Sequence, residues 1–367
     1  MQEQKQKSYP IVKLSGNPYD IGYQHGTALK TKVQGNIKKV FALMNQYAPG
    51  TTGPLIIKAA RKFVPSAERW SPEIMDEIRG IADGADMTFD EVFALNSLTE
   101  LSMNVGDFAN SLGCTSFCAQ GPTTKDGELF IGQNQDLWAP WCRDYFSVLK
   151  ITPSVGPGMV ITTLAGMVGM VGLNSEGLSI VGNGLSIKGN QIGVPVMLFM
   201  RRALQQRTIG EVVGMLTKSK RASPFNLLVG DTNGEFYDFE LAAKDYESFY
   251  IGEGSYAHSN NCFSPKLQKN ETIQEGIFYP DTVVRVNRMR KLLRTNEGKV
   301  GFEEVKGFLS DHVNYPRSIC RHPDPSIPTS DWQDQWETTA SVIMEPRSSR
   351  LWIAAGNPCE EEYTQYN

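Results

Sequence analysis

Histidine is scarce in this chain. Only four occur in 367 residues, at positions 25, 258, 312 and 322, and they form no HExxH or HxH pattern. The six cysteines, at 114, 118, 142, 262, 320 and 359, are too dispersed for a zinc-finger spacing. The one close pair, Cys114 and Cys118, is CxxxC and not a redox CxxC. No metal and no other cofactor is therefore expected. An excess of one charge is missing too: 36 basic against 40 acidic residues leave a net charge of −4, with no basic stripe for nucleic acid. No uninterrupted apolar run reaches the ~18 residues of a membrane helix. The opening MQEQKQKSYPIV has no apolar leader core, so a cytoplasmic location without membrane contact is expected. No GxGxxG opens a helix, and the methionine-rich MVITTLAGMVGMVG reads as core strand rather than a dinucleotide loop.

The composition that remains, 40% apolar and 21% charged, is that of a globular chain with a sizeable core. Its length admits two domains or one large unit. Residues 1–105 read as mostly helix after a short strand, YPIVKLSG. Asn17-Pro18 opens a helical segment through Ala48, Ser71-Pro72-Glu73 opens another, and Thr88 with Glu91 has capping-box spacing. From Cys114 the pattern changes to short β-type runs separated by KDG, SVGPG, NSEG and DTNG turns. Helices are expected at about 195–206, 208–218 and 281–310, and a closing hairpin in ASVIMEPRSSRLWIAAGNP. The expected fold is α+β, a helical N-terminal portion packed on two sheets covered by helices.

One stretch, NSLGCTSFCAQ, raises a chemical question. A free thiol is only a few per cent thiolate at neutral pH and needs a base to act as a nucleophile. No histidine lies within fifty residues of Cys114. Scission of the Gly113–Cys114 bond would supply one, because Cys114 would gain an α-amine of pKa ~8 beside its own sulfur. Glycine before the cysteine leaves room for the sulfur to approach the carbonyl. A cysteine opening a strand is also a common core residue. Downstream, GQNQDLW places Asn134 and Asp136 on the strand that pairs back toward Cys114, where they either join its chemistry or cap a hairpin.

The run GCTSFCAQGPTTKDGELFIGQNQDLW resembles the autoproteolytic isopenicillin N (acyl-coenzyme A:6-aminopenicillanate) acyltransferase family of N-terminal nucleophile (Ntn) hydrolases. GNPYDIGYQHG, GMVGLNSEGLSIVGNGL, YAHSNNCF and YPRSICRH are similar to further motifs of that family, in the same order. The resemblance implies an αββα sandwich of two stacked antiparallel sheets. It implies a propeptide portion 1–113 and a catalytic portion 114–367 within one integrated unit, the two fragments staying together. Cys114 would be both the cleavage and the catalytic nucleophile, assisted by Ser116. Asp136 would orient the new amine, Asn260 would donate to the oxyanion, and Arg321 would lie near Asp136 or a substrate carboxylate. Asn134, Trp138, Trp141 and His258 are candidates for the substrate site, His258 also reading as a structural histidine bonded to backbone. The implied substrate is a small N-acylated molecule, with acyl-coenzyme A as a possible donor and a homo-oligomer as a possible assembly. Amidases of bile salts or penicillin V are the neighbouring reading, and a non-catalytic binding protein on the same scaffold is the alternative.

Overall fold

The computed structural model describes residues 8–102, 113–273, 279–326 and 336–366. Fourteen strands are present among them: β1 Ile11–Gly16, β2 Gly113–Ala119, β3 Phe130–Trp138, β4 Phe146–Pro153, β5 Met159–Leu164, β6 Val171–Asn174, β7 Ser179–Gly184, β8 Phe225–Gly230, β9 Phe236–Leu241, β10 Tyr246–Ile251, β11 Ser255–His258, β12 Trp336–Glu345, β13 Arg350–Ala354 and β14 Thr364–Gln365. They form an eight-stranded sheet, β1-β4-β5-β6-β7-β8-β9-β10, and a six-stranded sheet, β11-β2-β3-β12-β13-β14. The N-terminal helices are α1 Pro18–Ala28, α2 Lys30–Tyr47, α3 Gly53–Ala60, α4 Val64–Trp70, α5 Pro72–Gly84, α6 Phe89–Asn96 and α7 Leu98–Ser102. Later come α8 Ala139–Cys142, α9 Val196–Ala203, α10 Ile209–Lys218, α11 Pro265–Gln268, α12 Tyr279–Thr295 and α13 Phe302–Leu309. None among the described residues is long and apolar enough to cross a membrane.

Strands β2, β3 and β12 of the smaller sheet are buried on both faces, which is why GCTSFCA and FIGQNQDLW show no clean polar alternation. One face packs Phe117, Ala119 and Ile343 against Val286, Met289 and Leu293 of α12 and Val305 and Leu309 of α13. Ile131, Val342 and Met344 on the other face join the larger core with Ile180 and Leu227 of the eight-stranded sheet. This is the αββα sandwich expected of Ntn hydrolases.

The expectation of two wholly antiparallel sheets is corrected at one edge, where β1 pairs with β4 in parallel. The two strands are separated by the whole N-terminal helical run, and a parallel neighbour requires such a crossover. Residues 11–16 are thereby tied into the same sheet as β4. The segment expected as one helix over 281–310 is two, because the turn between α12 and α13 needs a positive φ that Gly298 supplies, at +76°. The helical segment opened by Asn17 likewise breaks at Leu29.

Local signals explain the helix starts. The Asn17 side chain accepts from Asp20 N at 2.9 Å, and capping boxes open α6 at Thr88 and α10 at Thr208. Helices α1 and α5 then meet backbone to backbone. A methyl group on Gly22 would lie 1.9 Å from the Glu77 carbonyl oxygen, and one on Gly80 would lie 2.1 Å from that of Tyr19. The GNPYDIGYQHG motif is thus explained in part by packing.

Candidate functional site

Strands β2 and β3 pair in the register Gly113 with Asp136, Cys114 with Gln135, Thr115 with Asn134 and Ser116 with Gln133. Directly opposed residues of an antiparallel pair share a face. Gly113, Thr115, Asn134 and Asp136 therefore turn toward α12, whereas Cys114, Ser116, Gln133 and Gln135 turn toward the other sheet.

On the α12 side, buried Arg285 is the hub. It donates to the Cys114 carbonyl at 2.5 Å and to Thr115 Oγ1 at 2.8 Å from Nη1, and to Asn260 Oδ1 at 2.9 Å from Nη2. Its Nη1 is 3.8 Å from Asp136 Oδ2. Asp136 is fully buried. Its Oδ1 accepts from Thr338 Oγ1 at 2.8 Å, but Oδ2 accepts no hydrogen bond from any described residue. Burial raises the Asp136 pKa, against the opposing pull of Arg285 and Arg321. Arg321 is itself buried beside Asp281, 3.5 Å away, and burial lowers its pKa to about 10. A methyl group on Gly113 would come within 2.9 Å of Asp136 Cβ and 3.1 Å of Oδ2. Glycine is thus required for the carboxyl group to sit against this backbone.

The Cys114 N–H donates to Asn260 Oδ1 at 3.0 Å, and the Cys114 carbonyl also accepts from Ser259 Oγ at 2.8 Å. The strand is held on both sides of the cysteine. Asn260 Nδ2 donates to the Gly184 carbonyl at 3.2 Å, leaving its second hydrogen for another acceptor. Burial pushes the Cys114 thiol up to about 12, helped by Asp136 and opposed by Arg285 and the Asp136 N–H. Such a thiol is a poor nucleophile without a base. Beside it opens a cavity of about 100 Å³, walled by Leu137, Met170, Met197, Met200 and Phe225. That is below the ~300–1,000 Å³ of sites for drug-sized ligands and is suited to an apolar chain.

The structure brings Cys114, Asp136, Asn260 and Arg321 together. The other candidates sit differently. Ser116 faces the opposite sheet and donates to Asn183 Oδ1 at 2.7 Å. Asn134 donates to the Leu309 and Ile319 carbonyls, both at 2.8 Å, and accepts from Ser341, so its amide anchors the α13 layer and is not free for substrate. Trp138 stacks under Lys39 of α2 and Trp141 donates to Asn36 Oδ1 at 2.7 Å. Neither tryptophan lines the cavity; Leu137, one residue before Trp138, does. His258 is enclosed, with Nδ1 2.7 Å from the Ser259 carbonyl and Nε2 2.9 Å from Glu240. Burial lowers its pKa, but Asp238 and Glu240 outweigh it and the net shift is upward.

Arg285, Ser259 and Thr338 were not singled out from sequence. Arg285 had a usable signal: it lies at helical spacing among Thr282, Val286 and Met289, a stripe that is otherwise buried. Ser259 and Thr338 had none, because their roles depend on which strand ends meet. The candidate metal ligands lie elsewhere: His312, Cys320, His322 and Cys359 place one ligand atom each within 4.8 Å of one another. That grouping runs against the absence of a metal signature in the sequence.

Comparison with known proteins places the chain in a family. The chain is 29% identical over 356 residues to the acyl-coenzyme A:6-aminopenicillanic-acid-acyltransferase 40 kDa form of Emericella nidulans, covering 96% of this chain and 94% of that protein. It is 26% identical over 247 residues to an uncharacterized protein of Archaeoglobus fulgidus, covering 61% of this chain and 41% of the other. Among solved structures, a conjugated bile acid hydrolase variant from Clostridium perfringens is 12% identical with a TM-score of 0.43, covering 69% of this chain and 96% of that one. Penicillin V acylase from Agrobacterium tumefaciens is likewise 12% identical with a TM-score of 0.40, covering 66% and 83%. The model of the acyl-coenzyme A:6-aminopenicillanic acid acyl-transferase family matches residues 123–360, more than half of the sequence, and the chain belongs to that family.

Proposed function

We propose that this protein is a self-processing cysteine amidohydrolase or acyltransferase acting on small N-acylated molecules. The observation that carries the reading is the setting of one peptide bond. Gly113 lies against the Asp136 oxygen that accepts no hydrogen bond from any described residue, and the next residue, Cys114, has its nitrogen held by Asn260 and its sulfur beside an apolar cavity.

In the first step Cys114 Sγ adds to the Gly113 carbonyl carbon, and the thiol proton passes by way of Asp136 to the departing Cys114 nitrogen. The C–N bond breaks and leaves a thioester between Gly113 and the sulfur. Water cleaves it, releasing the Gly113 carboxylate and an N-terminal cysteine. The new α-amine then takes the thiol proton in each turnover. The thiolate attacks the substrate carbonyl, and the second amide hydrogen of Asn260 stabilises the oxyanion. The leaving amine receives the proton back, and the acyl group remains on Cys114 with its chain in the Met197–Met200 cavity. Water completes a hydrolysis; an acceptor amine completes a transfer.

Intact-mass measurement and N-terminal sequencing of the purified protein test this. The expected result is two fragments, the second beginning Cys-Thr-Ser-Phe, together with turnover of N-acyl amines or, with acyl-coenzyme A supplied, of an acceptor amine. An unbroken chain in a fully active preparation would overturn it.

A further inference from the structure

We propose that His312, Cys320, His322 and Cys359 form a closed tetrahedral site for zinc. Tetrahedral zinc with Zn–S near 2.3 Å and Zn–N near 2.0 Å sets the ligand atoms about 3.8 Å apart for S–S, about 3.6 Å for S–N and about 3.3 Å for N–N. The separations in this cluster are 3.5 Å between the two sulfurs and 3.1 Å between the Nε2 atoms of His312 and His322. Cys320 Sγ and Cys359 Sγ lie 3.6 and 3.3 Å from His322 Nε2. All four values fall close to the edges of such a tetrahedron.

The surroundings suit metal ligation. Both histidines present Nε2, and the Nδ1 of His322 faces Glu360 at 3.9 Å, where ligating histidines commonly have a carboxylate partner. Asn357 Nδ2 lies 3.7 Å from Cys320 Sγ, an N–H directed at a sulfur that must become a thiolate. Two thiolates balance the charge of the dication, and soft sulfur with imidazole favours zinc over calcium or magnesium. Four protein ligands leave no open position, which marks a structural site rather than a hydrolytic one.

The ligands come from three places in the chain: the turn after α13, the Cys320-Arg321-His322 segment and the loop after β13. Spacing rules therefore miss the set. Two of the ligands flank Arg321. Its N–H donates to Thr338 Oγ1 at 2.9 Å, and that hydroxyl donates to Asp136 Oδ1 at 2.8 Å. Its carbonyl accepts from Asn357 Nδ2 at 2.7 Å. The metal would clamp the backbone that carries Arg321 and bind the C-terminal loop to it.

The test uses the full chain purified under reducing conditions without chelator. About one zinc per chain is expected by elemental mass spectrometry, and cobalt(II) added to the stripped protein should develop visible d–d bands with thiolate charge-transfer absorption. The Cys359→Ser and His312→Asn variants change exposed residues, so they should fold yet lose most of the zinc. A chelator should lower the melting temperature of the wild type and leave that of Cys359→Ser unmoved. Metal below about a tenth of an equivalent with no cobalt spectrum would overturn the proposal. So would a stable Cys320–Cys359 disulfide in the active, reduced-buffer preparation.

Discussion

Two seams of this molecule use glycine to bring backbone and neighbour unusually close, with opposite consequences. Between α1 and α5, Gly22 and Gly80 let one helix backbone touch the other. The charged pair nearby is complete, with buried Glu77 meeting Arg201 at 2.9 Å, whereas His25 Nε2 accepts from Gly166 N at 3.1 Å and its buried Nδ1 has no hydrogen-bond partner among the described residues. Between β2 and β3, Gly113 admits a carboxyl group, and one oxygen of that carboxyl, Asp136 Oδ2, accepts no hydrogen bond from any described residue. Close packing alone does not separate a structural joint from a reactive one. The difference lies in which atom is left over: a ring nitrogen of an imidazole that burial keeps neutral in the helical seam, and a carboxyl oxygen against the Gly113 backbone in the other.

The largest expected effect is on the β2–β3 seam. Cys114→Ala should abolish both chain cleavage and turnover, leaving one 367-residue species by intact mass; a cut variant would remove Cys114 as the nucleophile. Next comes Arg285→Met, which strands the buried Asp136 and Asn260 groups and should cost about 3–5 kcal/mol in urea unfolding. A loss below about 1 kcal/mol, the scale of a surface pair, would mean that Arg285 does not compensate Asp136.

The helical seam offers contrasting tests. Gly80→Ala forces a methyl group onto the Tyr19 carbonyl and should cost about 3 kcal/mol, the upper range for overpacking, without altering which bond is cut. Unchanged melting would show that the helices can simply separate. His25 supplies a pH test. Burial, then Arg201, lowers its pKa to about 4, whereas the unfolded chain has it near ~6.5. The unfolded state binds the proton more tightly, so the stability due to the neutral ring is present above about pH 6.5 and lost as pH falls toward 4. Relative to His25→Gln, the wild type should lose about 2 kcal/mol between pH 7 and 5. Differencing removes buried carboxyls such as Glu77 and Asp136, whose raised pKa values act in the opposite direction. A parallel pair of stability curves would contradict a neutral buried ring. The smallest effect is that of Gly113→Ala. It should slow cleavage about tenfold, roughly 1.4 kcal/mol of barrier, by displacing Asp136. A time course with wild-type speed would show that this contact is only packing.

Much of the frame was legible because its signals are local. The KDG and DTNG turns delimit strands, Thr88 and Thr208 cap helices, and the hairpin after Cys114 does return Asp136 to its side. Trp138 and Trp141 lie off the cavity because nearness in sequence to Asp136 does not give a shared face. One step along β3 exchanges cavity for the far side, so Leu137 lines the site and Trp138 meets Lys39. Arg285 was hidden among the five basic residues of α12, where only the buried stripe distinguishes it. The His312–Cys359 cluster was invisible, since β12 and β13 lie between His322 and Cys359 and no short spacing joins them.

Taken by itself, the order of residues determined where strands and helices begin, which bond joins glycine to cysteine, and which family the chain resembles. Short-range rules suffice for those, because turns, caps and side-chain alternation are decided within a few residues. Only the tertiary structure decided that Asp136 Oδ2 accepts no hydrogen bond from any described residue, that Arg285 is the buried cation beside Cys114, and that the side chains of His312, Cys320, His322 and Cys359 converge. Each depends on desolvation and on partners many residues away, and these come into being only when the sheets and helices pack.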